Sequence, residues 1–348
     1  MVSKKRTHRL EKLARVYDDE ILPVWSHRFG RMMLRDLELP EKCQVLDLAC
    51  ATGYPAVEII RRMGAGSRFI ALDASSALLD VARRKVEEMG ARGVFFRSES
   101  PGPRLPFADD VYDLVICNLD LGDLPDPAAA LTDYARVTVP GGEVRCTLPL
   151  EGTFQEFHDI YREVLTKHDK NDTLARLDEH VARTYPTVAE CEEWLRVARM
   201  VDAQVEVERY TMLFRSSREF FFAPVIEFGP LSAWKEIAGT GQEMQDIFWY
   251  IKEAIDAYFE GRAFAVSVVA GCLRGRKGPP IEEQETYDME RPTMHESAPV
   301  TDAYPTIQDL ELPEMTGGAV PGSRPDTDEE VALDAFVEGK QRPGHLEE

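Results

Sequence analysis

The sequence predicts an α/β fold, a doubly wound and mostly parallel seven-stranded sheet with a helical cap, and three observations predict it. Short apolar runs alternate with amphipathic helical stretches through the first half of the chain, as strand–helix–strand units do. A buried strand beginning at Val45 runs straight into a loop of small residues that ends on Gly53 and opens a helix. A second strand, Phe69-Ile70-Ala71-Leu72, ends on Asp73, twenty residues beyond Gly53. An acidic side chain at that distance accepts hydrogen bonds from a ribose in nucleotide-binding folds.

Residues 45–53 read Val-Leu-Asp-Leu-Ala-Cys-Ala-Thr-Gly. Pro55 fits a first helical turn, where a missing N–H costs nothing, and Ala56, Ile59, Ile60 and Met63 follow at helical spacing. Small residues in such a loop let backbone N–H groups and the helix N-terminus approach a ligand. A dinucleotide fingerprint would place glycines at Ala49, Ala51 and Tyr54, and Tyr54 does not fit. A Gly-x-Gly-x-Gly arrangement ending on Gly53 after Val-Leu-Asp-Leu fits better, and it resembles the first motif of class I S-adenosylmethionine-dependent methyltransferases. Ala49 and Ala51 replace the first two glycines, which keeps the loop small and adds a Cβ where backbone should meet the ligand. The resemblance implies that S-adenosyl-L-methionine is the cofactor, held by Asp47, Ala49, Ala51, Gly53, Asp73 and Ala74. The other reading of Asp73 is a strand-end or helix-capping aspartate, since Ser75 and Ser76 follow.

Composition narrows the function classes. No run approaches the ~20 apolar residues of a membrane span, and Met-Val-Ser-Lys-Lys-Arg leads into no apolar stretch, so cytoplasmic location is expected. The six cysteines are scattered with no Cys-x-x-Cys pair and the seven histidines are dispersed, so neither a metal site nor a disulfide framework is expected. The net charge is −21, of which residues 279–348 carry −14 and residues 1–278 only −7. That balance argues against a protein holding nucleic acid by its phosphates, and neither nucleic acid nor a membrane is expected as a partner.

In chain order, residues 3–15 form a basic amphipathic helix with Leu10, Leu13, Ala14 and Tyr17 on its apolar stripe. Its basic face reads as a solvated surface or as a partner site. Residues 21–37 continue at helical intervals through Trp25, Phe29, Met32, Met33 and Leu37. In small-molecule members of the family such helices cover the cofactor, which would set Tyr17 and Trp25 near the methyl donor; otherwise they are core aromatics. Leu78, Leu79, Ala82, Val86 and Met89 mark a helix stopping at Gly90, and residues 94–96 a third strand. An aspartate after that strand binds the adenine amino group in related enzymes; here Glu99 or Ser100 would stand in for it. Leu105-Pro106-Phe107, then Tyr112-Asp113-Leu114-Val115-Ile116, resembles the family's Leu-Pro-Phe turn and fourth strand, ending at Asn118, Asp120 and Asp123, which should face the transferring methyl group. A helix at 128–137 and the turn Val139-Pro140-Gly141-Gly142 precede strand five at 143–148.

Residues 151–200 read as helical, with a run at 147–157 faintly similar to malonyl carrier-protein O-methyltransferases. Strands at 204–214 and 263–273 enclose an aromatic-rich insertion at 215–262, expected to be mostly core with a few pocket residues. The domain plan is a helical cap (1–40), a cofactor-binding core (41–150), the remainder of the fold with substrate-covering helices (151–278), and an acidic tail (279–348). The tail's composition predicts disorder, with one candidate protein-docking peptide at 328–337.

The expected activity is methyl transfer to a small-molecule acceptor. The alternatives are carboxyl O-methylation of a carrier-bound acyl group and a cofactor-binding partner protein without turnover. A hydroxyl or carbon acid would need a base, for which Asp120, His158, His27 and Tyr17 are candidates; a carboxylate acceptor would need none.

Overall fold

The computed structural model describes residues 4–99 and 104–279, with side chains from His8 onward. Expectations for Ser100 and for 280–348, the 328–337 peptide among them, lie outside the described residues. The elements run α1 (Lys4–Val16), a π turn (Tyr17–Ile21), α2 (Ser26–Met33), β1 (Gln44–Asp47), α3 (Ala56–Arg62), β2 (Arg68–Asp73), α4 (Ser76–Glu88), β3 (Val94–Ser98) and β4 (Tyr112–Asn118). A 3₁₀ turn (Leu121–Asp123) leads to α5 (Pro127–Val137), β5 (Thr138–Pro149), α6 (Gln155–Lys167), α7 (Asn171–Thr184), α8 (Val188–Val197) and β6 (Met200–Phe214). Four helices, α9 (Ser217–Phe222), α10 (Pro224–Glu227), α11 (Leu231–Ala238) and α12 (Gly241–Tyr258), precede β7 (Phe264–Lys277).

The seven strands form one sheet in the order β3-β2-β1-β4-β5-β7-β6. Strands β1 to β5 are parallel, and β7 enters antiparallel between β5 and β6. Successive residues of β1 and β4 bury on opposite faces, as period-2 strands covered on both sides must. Val45, Leu114 and Ile116 pack with α2, α3 and α4, while Leu46, Val115 and Cys117 pack with α5 and α8. A third cluster joins α6, α9, α11 and α12 to Phe264, Val266 and Val268 of β7. The expected cofactor core at 41–150 and the following segment therefore share one sheet.

Two elements depart from the sequence reading. The helical pattern expected over 21–37 is ordered as α2 only from Ser26. Pro23 has no N–H to give the preceding turn, and the hydrogen bonds around it slip to i→i−5, from Leu22 to Tyr17 and from His27 to Leu22. Strand five begins at Thr138, because the glycine pair expected as a turn lies inside the strand, where the register to β4 shifts between Tyr112 and Leu114. Pro55 is the residue before α3 and Ala56 its first.

Arg145 on β5 ties the sheet to the cap. Its side chain is 3% exposed, and it donates to the carbonyls of Met33 at 2.7 Å and Arg35 at 2.6 Å while pairing with Glu143 at 2.8 Å. Arg145→Met keeps the length and strands these acceptors, so it is expected to cost about 3 to 5 kcal/mol in denaturant unfolding. A loss under 1 kcal/mol, on the order of a single exposed pair, would show that water replaces the guanidinium.

Candidate active site

The carboxyl ends of β1, β2 and β4 open onto a cavity of about 700 Å³. Its lower wall is the loop after β1 with Ala49 and Ala51, the end of β2 with Asp73 and Ser75, and the end of β4 with Asn118, Leu119 and Asp120. The opposite wall is aromatic. Trp25 stacks on Phe154 with centroids 5.7 Å apart and planes 6° from parallel, the Tyr185 ring lies edge-on to Phe154, and Phe228 also lines the cavity. Leu10, Leu13, Ala14 and Tyr17 cover it from α1 and the π turn.

Asp73 is held by its surroundings before any ligand arrives. Its Oδ2 accepts from the Ala51 N–H at 2.9 Å and its Oδ1 from the Ser75 N–H at 2.8 Å. Each oxygen keeps a further lone pair for the cavity it borders. Partial burial raises its pKa and those two N–H groups oppose the rise. The helix-cap reading belongs to Ser75, whose side chain accepts from the Leu78 N–H.

Asp47 is fully buried behind the loop and does not border the cavity. Its Oδ1 accepts from the Ala49 N–H at 3.2 Å, its Oδ2 has no partner, and burial pushes the carboxyl up to about 7. It therefore shapes the loop from beneath. Gly53 has φ +99° and lies against α4, where an added Cβ would meet the Ala82 Cβ at 3.2 Å, so packing with α4 explains this glycine. Ala51 has φ +46°, a left-handed conformation that costs a residue with a Cβ about 1 to 2 kcal/mol. Ala51→Gly is expected to stabilise the fold by about 0.5 to 1 kcal/mol after the added freedom of the unfolded chain is counted. A lowered melting temperature would contradict this.

Asn118 is buried with both ends of its amide engaged, accepting from Thr147 Oγ1 at 2.7 Å and donating to the Ser26 carbonyl at 3.5 Å. Ser26 Oγ in turn lies 2.7 Å from the Tyr17 hydroxyl, so strand four fixes the covering aromatics through one polar chain. Asp120 precedes the 3₁₀ turn, and Asp123 ends it, at the rim. Burial, then the neighbouring charges of Asp123 and Asp73, raises the Asp120 carboxyl to about 6.

The cavity thus gathers Tyr17, Trp25, Ala49, Ala51, Asp73, Asn118, Asp120 and Asp123, and leaves Asp47, Gly53, Ala74, Glu99, His27 and His158 outside its lining. His158, a candidate base, is 1% exposed among Phe157, Tyr185 and Trp234, and burial holds its imidazole down to about 3. It stands behind the wall without touching the cavity. His27 is exposed against the Tyr54 ring. Ala74 is exposed beside Asp73, and Glu99 pairs with Arg97 at 2.7 Å. The sequence reading missed Phe154, Tyr185 and Ser26 as lining residues. Of the aromatic insertion, Phe228 reaches the cavity, whereas Phe220, Phe221, Trp234 and Phe248 are core.

The residues present fit S-adenosylmethionine. The charged side chains lining the cavity among the described residues are three carboxylates, Asp73, Asp120 and Asp123, which suits a ligand with a sulfonium and an ammonium group. The volume lies within the range of small-molecule sites. No group of histidine, cysteine and acidic side chains suited to a metal ion occurs among the described residues.

Residues 45–142 match the family model described as a methyltransferase domain. The demethylmenaquinone methyltransferase of Lactiplantibacillus plantarum is 32% identical over 139 residues, 39% of this chain and 59% of that protein. The chain thus spans less than two thirds of that relative's length. The enzyme of the same name from Geobacillus kaustophilus is 28% identical over 221 residues, 60% of this chain and 92% of that protein. Among solved structures, the YcgJ protein from Bacillus subtilis aligns with a TM-score of 0.49 at 17% identity, covering 73% of this chain and 99% of that one.

Proposed function

Since the chain belongs to the class I S-adenosylmethionine-dependent methyltransferases, with their methyltransferase domain at residues 45–142, we propose that it transfers a methyl group to a flat, apolar small molecule. The observation that carries this reading is the two-sided cavity, acidic where strands end and aromatic opposite them. Bound there, S-adenosylmethionine supplies an electrophilic methyl on a sulfonium. Asp73 accepts from ribose hydroxyls, and the Ala49 to Ala51 loop presents its backbone to the rest of the donor.

Trp25 and Phe154 give a planar acceptor a surface to stack on, and the covering α1 residues keep water from the reacting atoms. Holding the two reactants in line supplies most of what methyl transfer asks of a protein. Asp120, on the strand-end side, takes the proton of an acceptor hydroxyl or carbon acid. The names of the relatives make a demethylmenaquinone-type ring the acceptor to try first.

Labelled-methyl transfer tests the proposal, with purified chain, labelled donor and a panel of reduced naphthoquinones, simple phenols and amines. Product from a flat apolar acceptor is expected. Donor binding without transfer to any of them, or to anything in a cell extract, would favour the cofactor-binding partner protein.

A further inference from the structure

We propose that α1 and the rim of the cavity form a docking surface for an anionic lipid bilayer. Helix α1 carries six basic residues against one acidic, in a chain whose net charge is −21. Arg9, Lys12 and Arg15 are exposed and have no ion pair or hydrogen bond among the described residues, whereas His8 pairs with Glu11. The transfer chemistry uses none of the three. On the same helix Leu10 lines the cavity and is still 39% exposed, and Phe228, which also lines it, is 50% exposed. Two apolar side chains of the lining thus reach the surface, one of them on a cationic helix that covers the cavity.

The expectation of no membrane partner rests on the lack of a spanning segment, and no helix among the described residues is long and apolar enough to cross a bilayer. A basic amphipathic helix lying among headgroups needs no such segment. The acidic side chains that follow α1 do not cancel its charge: Asp18 is engaged by Lys85 of α4, and Asp19 and Glu20 sit on the π turn beyond it. Anionic headgroups complement the helix, and screening by salt confines that attraction to within a Debye length of the surface. Leu10 and Phe228 then meet the acyl boundary, and an apolar acceptor passes into the cavity without crossing water.

Co-sedimentation of the full chain with vesicles tests this independently of methyl transfer. Binding is expected to equimolar phosphatidylcholine and phosphatidylglycerol at low salt, to weaken as salt is raised, and to be absent with phosphatidylcholine alone. The combined Arg9→Gln, Lys12→Gln and Arg15→Gln variant should bind those vesicles on the order of 10- to 100-fold more weakly, since each basic group near such a surface contributes about fivefold. Its affinity for S-adenosylhomocysteine should match the parent's, which shows that it is folded. No binding to the anionic vesicles, equal binding to both compositions, or unchanged binding by the variant would overturn the proposal. So would a parent chain that ignores vesicles and is retained through α1 by an acidic carrier protein. A failed transfer assay leaves this result standing, and failed vesicle binding leaves the transfer reading standing.

Discussion

Replacing Asp120 by asparagine is expected to slow transfer to a hydroxyl or carbon-acid acceptor by about 10²- to 10⁴-fold, the usual range for a positioned base. Affinity for S-adenosylhomocysteine should change little, because Asp73 and the strand-one loop hold that half of the cavity. The pH profile separates a base from a structural side chain. A carboxyl works as a base when ionised, so kcat/KM in the parent should rise with pH to about 6 and then level. Asp123 helps to raise that value by its negative charge, so Asp123→Asn should move the rising limb to lower pH without abolishing turnover. A flat profile between pH 5 and 8 with an ordinary Asp120→Asn rate would remove Asp120 from the chemistry.

Asp73→Asn is expected to weaken S-adenosylhomocysteine binding by about 1 to 3 kcal/mol, some 5- to 150-fold. An amide has a single acceptor oxygen, so the variant cannot receive both the Ala51 and Ser75 N–H groups and a ribose hydroxyl as the carboxylate can. Calorimetric titration reads the affinity and thermal unfolding reads the loop. Unchanged affinity would mean that the ribose is held elsewhere. Tighter binding of a nicotinamide dinucleotide than of S-adenosylhomocysteine would overturn the cofactor.

The strand-end side of the cavity was legible because its constraints are local. A strand end, a small-residue loop and a charged strand terminus stand at fixed separations in the chain, and Asp73 and Asp120 border the cavity where that spacing put them. The aromatic side was legible only as composition. Phe154 looks like one more residue on an amphipathic stripe, and Tyr185 follows a helix with no motif around it; Phe154 meets Trp25 of the cap on one side and the Tyr185 ring on another. His158 is the converse case, a residue of catalytic type on a helical face that packs inward, away from the cavity lining. Period alone does not say which side of a helix meets a cavity and which meets a core. The slip at Pro23 and the bulge at Gly141 depend on hydrogen-bond partners supplied from elsewhere, which a local pattern does not contain.

The insertion between β6 and β7 gives one part of the cavity wall a separate genetic address. Val225, Phe228, Gly229 and Pro230 come from this one continuous stretch, whose ends are pinned by the pairing of Phe214 with Phe264. None of the strand-end carboxylates is encoded there. Exchange or drift within 215–262 can therefore reshape that part of the wall while the strand-end carboxylates and the Trp25–Phe154 pair are inherited intact.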